Sequence, residues 1–380
     1  MEKNKIIKFF IFAGLFYLIG SLKLAKVFAN EPGQISCKKL GINYAIVGPV
    51  ANNQHDRAAS HKLGYTLEMM TAEGQEWGVS DSFKYALDHG MTPILRICYG
   101  NTCGFTDPVK YAVVLDRIAD LVGGRTFYAL AGPNEPISET WLGGNPGEWW
   151  VIAPLVTTYM NQVIAHVTRP NVKLLSPAFN LTHPNLNDEV TTMVRAGAQF
   201  DKLVGIAGNG YNLKGYVVDG VLRETISSQV SRLRSVASNV FANQDIYLTE
   251  IGIFESDQNP AWTGTKVPRS QALINLKDQI EIMRLDPKIK GFLLFDSFGT
   301  NPDQGFAYNF MTDAEIDASL SGLCFLPRDV DLDGTGGLTA DDIKLQIANW
   351  IFPANLRADT NGSGSVNSFD FGLLNMYWKN

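Results

Sequence analysis

Between Cys37 and Cys324 the chain alternates eight times between a short apolar run and a polar or Gly-rich loop leading to a helix-like stretch. The runs fall at 40–47, 65–70, 92–98, 126–130, 172–176, 203–207, 246–248 and 291–295, with helices expected at 81–89, 108–121, 149–167, 226–237 and 269–285. Continuous apolar strands separated by helices predict a parallel sheet buried on both faces. Eight such units, in somewhat more than the ~250 residues such a domain typically needs, predict a closed (β/α)8 (TIM) barrel over residues 37–324. Gly208-Asn209-Gly210 lacks the remaining spacing of GxGxxG, which argues against a doubly wound nucleotide fold. The sequence also contains no GxxxxGK[ST], HExxH or GxSxG.

In such a barrel, chemistry sits where the strands end. The fourth run leads into Asn134-Glu135-Pro136 and the seventh into Thr249-Glu250-Ile251, so two strands deliver one Glu each to the same rim. Either Glu alone could be a helix cap or a solvated rim residue. Together they match the need of glycoside hydrolysis for two carboxyls flanking the bond, one protonated and one ionised. Charged residues make up 18% of the chain, net charge is −6, and Lys and Arg form no run of five, which disfavours a nucleic-acid partner. Aromatics are plentiful at 11%, and Tyr99, Phe105, Trp141, Trp149, Trp150 and Trp262 are candidate stacking platforms for a neutral sugar.

Asn134-Glu135-Pro136 after the fourth strand, with Glu250 after the seventh, resembles clan A of the glycoside hydrolases, the retaining (β/α)8 enzymes, over about residues 40–300. The resemblance implies Glu135 as general acid/base, Glu250 as nucleophile and Asn134 as the holder of the sugar 2-OH. It places Tyr211 beside the nucleophile, Arg96 as the cation that keeps Glu250 ionised, and a polysaccharide as substrate. Asp296 is a further acid able to position a sugar hydroxyl. Phe295-Asp296-Ser297-Phe298 stands where the clan commonly carries Trp, and Asn209 where it often has His. A barrel that binds glycan without cleaving it is the alternative, and loss of either Glu would have favoured it. A metal-dependent hydrolase using Asp296 or His183 is disfavoured, because the five histidines are scattered.

Residues 331–350 and 359–378 align without a gap at a period of 28. The first copy offers Asp331, Asp333, Thr335, Thr339 and Asp342, and the second Asp359, Asn361, Ser363, Asn367 and Asp370. Hard oxygen donors at loop positions 1, 3, 5, 9 and 12, with Gly336 or Gly364 at 6, suit one Ca²⁺ per loop. Asp329 offers a second register for the first loop. Each loop leads into an amphipathic stretch ending at Trp350 or Trp378. Two such halves resemble a type I dockerin, a small all-α calcium-loop module over residues 325–380, which implies two structural Ca²⁺ ions and a cohesin partner.

Lys3, Lys5 and Lys8 precede an apolar run too short for the ~20 residues of a bilayer span, closed by Val27-Phe28-Ala29. This pattern predicts a signal peptide over residues 1–29, hence secretion. In that oxidising setting the four cysteines are expected to form disulfides. Pairing nearest with nearest gives Cys98–Cys103 and Cys37–Cys324, one of three possible connectivities. Asn180-Leu181-Thr182 fits the N-glycosylation pattern.

Overall fold

The computed structural model describes residues 39–61, 63–97, 104–139, 148–211, 217–218, 221–222, 225–236, 238–241, 243–252 and 288–295, with single positions between 274 and 345. All but Lys344 and Leu345 belong to the compact unit Cys37–Leu323. The expected signal peptide, all four cysteines, Tyr99, Trp141, Trp262, Asp296 and the ten expected calcium ligands lie outside the described residues. Among the described residues, no helix is long and apolar enough to cross a membrane.

Strands and helices alternate as β1 (Leu40–Val47), α1 (Asn52–Ser60), β2 (Tyr65–Met70), α2 (Glu76–Asp88), β3 (Thr92–Ile97), α3 (Pro108–Leu121), β4 (Phe127–Pro133) and α4 (Trp149–His166). They continue as β5 (Val172–Leu175), β6 (Phe179–Asn180), α5 (Leu186–Arg195), β7 (Ile206–Tyr211), the small antiparallel pair β8 (Val217–Val218) and β9 (Val221–Leu222), α6 (Ile226–Ser235), α7 (Ser238–Phe241), β10 (Ile246–Gly252) and β11 (Ile289–Phe295). Local chemistry starts the helices. At α3 the Asp107 carboxylate accepts from the backbone N–H groups of Val109 and Lys110, with Pro108 in the first turn. Thr225 caps α6 in the same way, accepting from Ser228 N at 3.1 Å.

The main sheet is parallel throughout, in the order β5-β4-β3-β2-β1-β11-β10-β7-β6. The row turns back on itself. β5 pairs with β4, β6 pairs with β7, and bridges at Asn134↔Ala178 and Leu175↔Gly205 tie the two ends together. Ser176-Pro177 interrupts this stave, because Pro177 cannot donate to the ladder. The result is a curled parallel sheet consistent with a (β/α)8 barrel.

Two differences from the sequence expectation matter for the site. The sixth strand runs Ile206–Tyr211 rather than 203–207, so Gly208-Asn209-Gly210 is strand and not loop. Glycine is needed there by close approach: a Cβ on Gly208 would meet Leu181 at 3.0 Å and one on Gly210 would meet Ile226 at 3.1 Å. The seventh strand extends through Glu250 to Gly252, carried by register pairing to Asn209, Gly210 and Tyr211 of β7.

Inside the sheet, Leu67, Ile94, Leu130, Leu175, Ala178, Ala207, Tyr247 and Leu293 form one buried cluster, with Tyr65 and Tyr128 packed against it. The three tyrosines stack around one another with ring centroids 5.2–6.2 Å apart. They fit only because a neighbour is small: a Cβ on Gly205 would lie 2.6 Å from the Tyr247 ring and 2.9 Å from the Asp245 carbonyl. Gly205→Ala is expected to cost about 1–3 kcal/mol by overpacking, read as a lower urea midpoint at unchanged m-value.

Candidate active site

Glu250 projects from β10 at a break in the ladder. Leu248 pairs with Gly208 and Glu250 with Asn209, so Thr249 is an extra residue on the β10 side. A bulge of this kind re-aims the side chains that flank it. Here it sends the Thr249 hydroxyl to Asn209 Oδ1 at 2.7 Å and the Glu250 carboxylate into a ring of donors. Arg96 Nη1 and the Tyr211 hydroxyl donate to its two oxygens, and Asn43 Nδ2 reaches Oε1 at 3.3 Å. Glu250 and Arg96 are each only 4% exposed. Burial alone would favour a neutral Arg96, but Glu250, Glu139 and Glu135 hold it as a cation. Burial first, then the charges of Glu250 and Glu135, push the Tyr211 hydroxyl well above its usual value, so it remains a donor.

Glu135 follows β4 on a strained turn. Its φ of +39° is positive, unlike that of any other non-glycine residue described, a conformation that costs on the order of 1–3 kcal/mol and persists only when its surroundings enforce it. They do so here. Its N–H donates to Ala178 O at 2.8 Å, and its carbonyl accepts from Ser138 N and Glu139 N at 2.8 and 2.9 Å. Asn209 Nδ2 donates to Oε1 at 3.0 Å, and Asn180 Nδ2 to Oε2 at 2.9 Å. Burial, and next the charge of Glu250, push the Glu135 carboxyl up to about 8, against the opposing pull of the Asn209 N–H and Arg96. The Glu135 carboxyl is thereby kept protonated at neutral pH, the state a general acid would need.

The structure thus brings five residues singled out from sequence into one network, the half-buried Glu135 with the buried Asn134, Arg96, Tyr211 and Glu250. Tyr211 and Arg96 lie beside Glu250, each donating to one of its oxygens. Asn134 lies between neighbours, donating to Glu139 Oε1 at 2.8 Å and accepting from Asn209 Nδ2 at 3.0 Å. Phe105 is no stacking platform: it is 1% exposed and packs on Tyr111 with centroids 5.4 Å apart. Trp150 is open to solvent at the start of α4, edge-on to Trp149. Phe295, at the end of β11, stands edge-on to Tyr211 with ring centroids 6.4 Å apart.

Sequence reasoning passed over Asn43, Glu139 and Thr249, and read Asn180 only as a glycosylation signal. The Asn180 side chain is committed elsewhere, donating to Glu135 and to Ser138 Oγ and accepting from the Thr182 N–H and hydroxyl. The signal for Asn43 was its place in the first strand, where a polar residue interrupts an apolar run.

Behind this network lies a second raised carboxyl. Glu189, on α5, is fully buried, and neither oxygen has a hydrogen-bond partner among the described residues. Burial, and then the Glu135 charge, push it up to about 8. The unfolded chain ionises this group from about pH 4.5, whereas the folded chain holds the proton to about 8. The folded state then binds more protons, and stability falls as pH rises through that window. Glu189→Leu is therefore expected to stabilise the fold by about 1–3 kcal/mol, more at pH 8 than at pH 5, by urea melts at both.

No protein-family model and no curated protein sequence matches this chain. Solved structures do. A fungal β-1,4-galactanase aligns at TM-score 0.50 and 12% identity, covering 73% of this chain and 98% of the galactanase. A GH5-4 broad-specificity endoglucanase from Clostridium longisporum aligns at TM-score 0.49 and 11% identity, covering 75% of this chain and 95% of the endoglucanase. Xylanase 10B from Thermotoga maritima aligns at TM-score 0.45 and 11% identity, over 75% and 97% of the two chains. The fold of this chain is one that a fungal β-1,4-galactanase also uses.

Proposed function

We propose that this chain is a secreted retaining glycoside hydrolase that cleaves a polysaccharide by double displacement. The observation that carries the reading is the pairing of two differently furnished carboxyls in one hydrogen-bonded network. Glu135 is held protonated by burial and by its neighbour's charge, while Glu250 is surrounded by donors from Arg96, Tyr211 and Asn43. The likeness of fold to a β-1,4-galactanase supports a polysaccharide as the substrate class.

In the first step a Glu250 oxygen bonds to the anomeric carbon as the glycosidic C–O bond breaks, and the Glu135 proton passes to the leaving oxygen. Esterified Glu250 carries no charge, so the repulsion that kept Glu135 protonated falls away. Glu135 can then take a proton from water, whose oxygen attacks the anomeric carbon and frees Glu250. Asn134 would hold the sugar 2-OH, and Trp141, Trp262 and Asp296 would add contacts along the cleft.

The C-terminal repeat is read as a dockerin-like tether to a cohesin on a scaffold or cell surface. Its oxygen-only donor sets, Asp331, Asp333, Thr335, Thr339 and Asp342 with Asp359, Asn361, Ser363, Asn367 and Asp370, fit Ca²⁺, which would supply folding energy rather than chemistry.

The test is a panel of galactan, xylan and β-1,3-glucan on the full chain, with ¹H NMR of the first-formed anomer. Hydrolysis with retained configuration is expected, fading above about pH 8 as Glu135 loses its proton. An inverted product would overturn double displacement. Binding without cleavage would replace the enzyme with a glycan-binding barrel.

A further inference from the structure

Arg96 stands between two carboxylates, and the proposed chemistry uses only one of them. Nη1 donates to Glu250 Oε1, while Nη2 lies 3.6 Å from Glu139 Oε1. The Glu139 side chain is 18% exposed. Its Oε1 also accepts from Asn134 Nδ2 at 2.8 Å, and its backbone N–H closes the turn onto the Glu135 carbonyl. One residue therefore reaches the Arg96 that supports Glu250 with its side chain, and braces the Glu135 turn with its backbone.

Its charge matters most when Glu250 has none. Once Glu250 is a glycosyl ester, the buried Arg96 guanidinium faces a neutral group. Breaking a buried ion pair by removing one partner is strongly unfavourable, because it leaves the other charge uncompensated. A carboxylate 3.6 Å away on the other side removes that penalty. Resting on the double-displacement reading, we infer that Glu139 is a positioning residue: it is the counter-ion that Arg96 keeps through the glycosyl-enzyme, and it holds Arg96 and Asn134 in place meanwhile.

The charge of Glu139 also acts on Glu135. The groups that face Glu135 are Glu250 from β10, Arg96 from β3, Glu139 from its own turn, Glu189 from α5 and Tyr211 from β7. Glu250 and Glu139 disfavour its ionisation and Arg96 favours it. Neutralising Glu139 removes a repulsion and leaves Arg96 less compensated, and both changes make Glu135 ionise at lower pH. A residue that only filled space would not move that titration.

The experiment compares wild type, Glu139→Gln and Glu139→Asp as full chains. Gln keeps the acceptor for Asn134 without the charge, and Asp keeps the charge on a shorter arm. The ¹³C NMR titration of the Glu135 carboxyl, assigned with Glu135→Gln, needs no substrate. It is expected to move down by about one pH unit in Glu139→Gln and to stay near wild type in Glu139→Asp. With whichever glycan of the panel the wild type cleaves, kcat/KM should fall about tenfold in Glu139→Gln, with partial rescue in Glu139→Asp. The fraction of glycosyl-enzyme caught by acid quench and intact-mass spectrometry should fall with it, because the ester state has lost its counter-charge. A wild type that cleaves no glycan sinks the hydrolase reading. An active wild type whose Glu139→Gln variant keeps its Glu135 titration, its kcat/KM and its trapped fraction overturns this inference alone.

Discussion

Glu250→Ala is expected to lower kcat on the cleaved glycan by about 10⁴-fold or more, with little change in KM. The proposed nucleophile is the one group whose bond to carbon would define the intermediate, and none of its neighbours can stand in for it. Arg96, Tyr211 and Asn43 are donors, and Glu139 lies behind Arg96. The substitution also has a signature that folding damage would not give. Loss of the Glu250 charge removes the second-largest cause of the raised Glu135 carboxyl, so the ¹³C titration of Glu135 should move down from about 8. Azide admitted to the vacated space should restore part of the turnover and yield a glycosyl azide. Activity that survives Glu250→Ala would remove Glu250 from the reaction.

The second large effect is on stability as well as rate. Arg96→Leu leaves the buried Glu250 and the partly exposed Glu139 without the cation they share, and breaking a buried ion pair such as Arg96–Glu250 costs about 3–5 kcal/mol. A urea midpoint well below wild type and a loss of turnover at every pH are expected together. Arg96→Lys should recover little, because one ammonium cannot reproduce two guanidinium nitrogens reaching two different carboxylates. A variant as stable as wild type would show that the carboxylates are not held in place by Arg96.

Much of this architecture can be read from hydrophobic pattern. Parallel strands buried on both faces give uninterrupted apolar runs, so β1 and β2 lie where the runs at 40–47 and 65–70 place them, and Asp107-Pro108 sets the start of α3. Pattern fails where side chains are small or polar on purpose. Gly208-Asn209-Gly210 has the composition of a turn, yet it forms strand because Leu181 and Ile226 leave room for nothing larger. Glu135 and Glu250 stand out because each follows an apolar run. Asn43, Asn180, Asn209 and Glu139 do not, since an amide or carboxylate gains its role only from partners brought together by the curled sheet, such as Asn209 meeting Glu135 from another strand. Long-range geometry of that kind leaves no trace in local spacing.

The engagement of Asn180 bears on how the protein is made. Its amide nitrogen serves Glu135 and Ser138, and that same nitrogen would carry the first sugar if a eukaryotic host modified the Asn180-Leu181-Thr182 sequon. One N–H would then remain for two acceptors, beside a bulky glycan next to Glu135. Material from a glycosylating host should therefore be less active than bacterial material, and enzymatic removal of the glycan, which converts Asn180 to Asp, would not restore it: the replacement is an acceptor where Glu135 needs a donor.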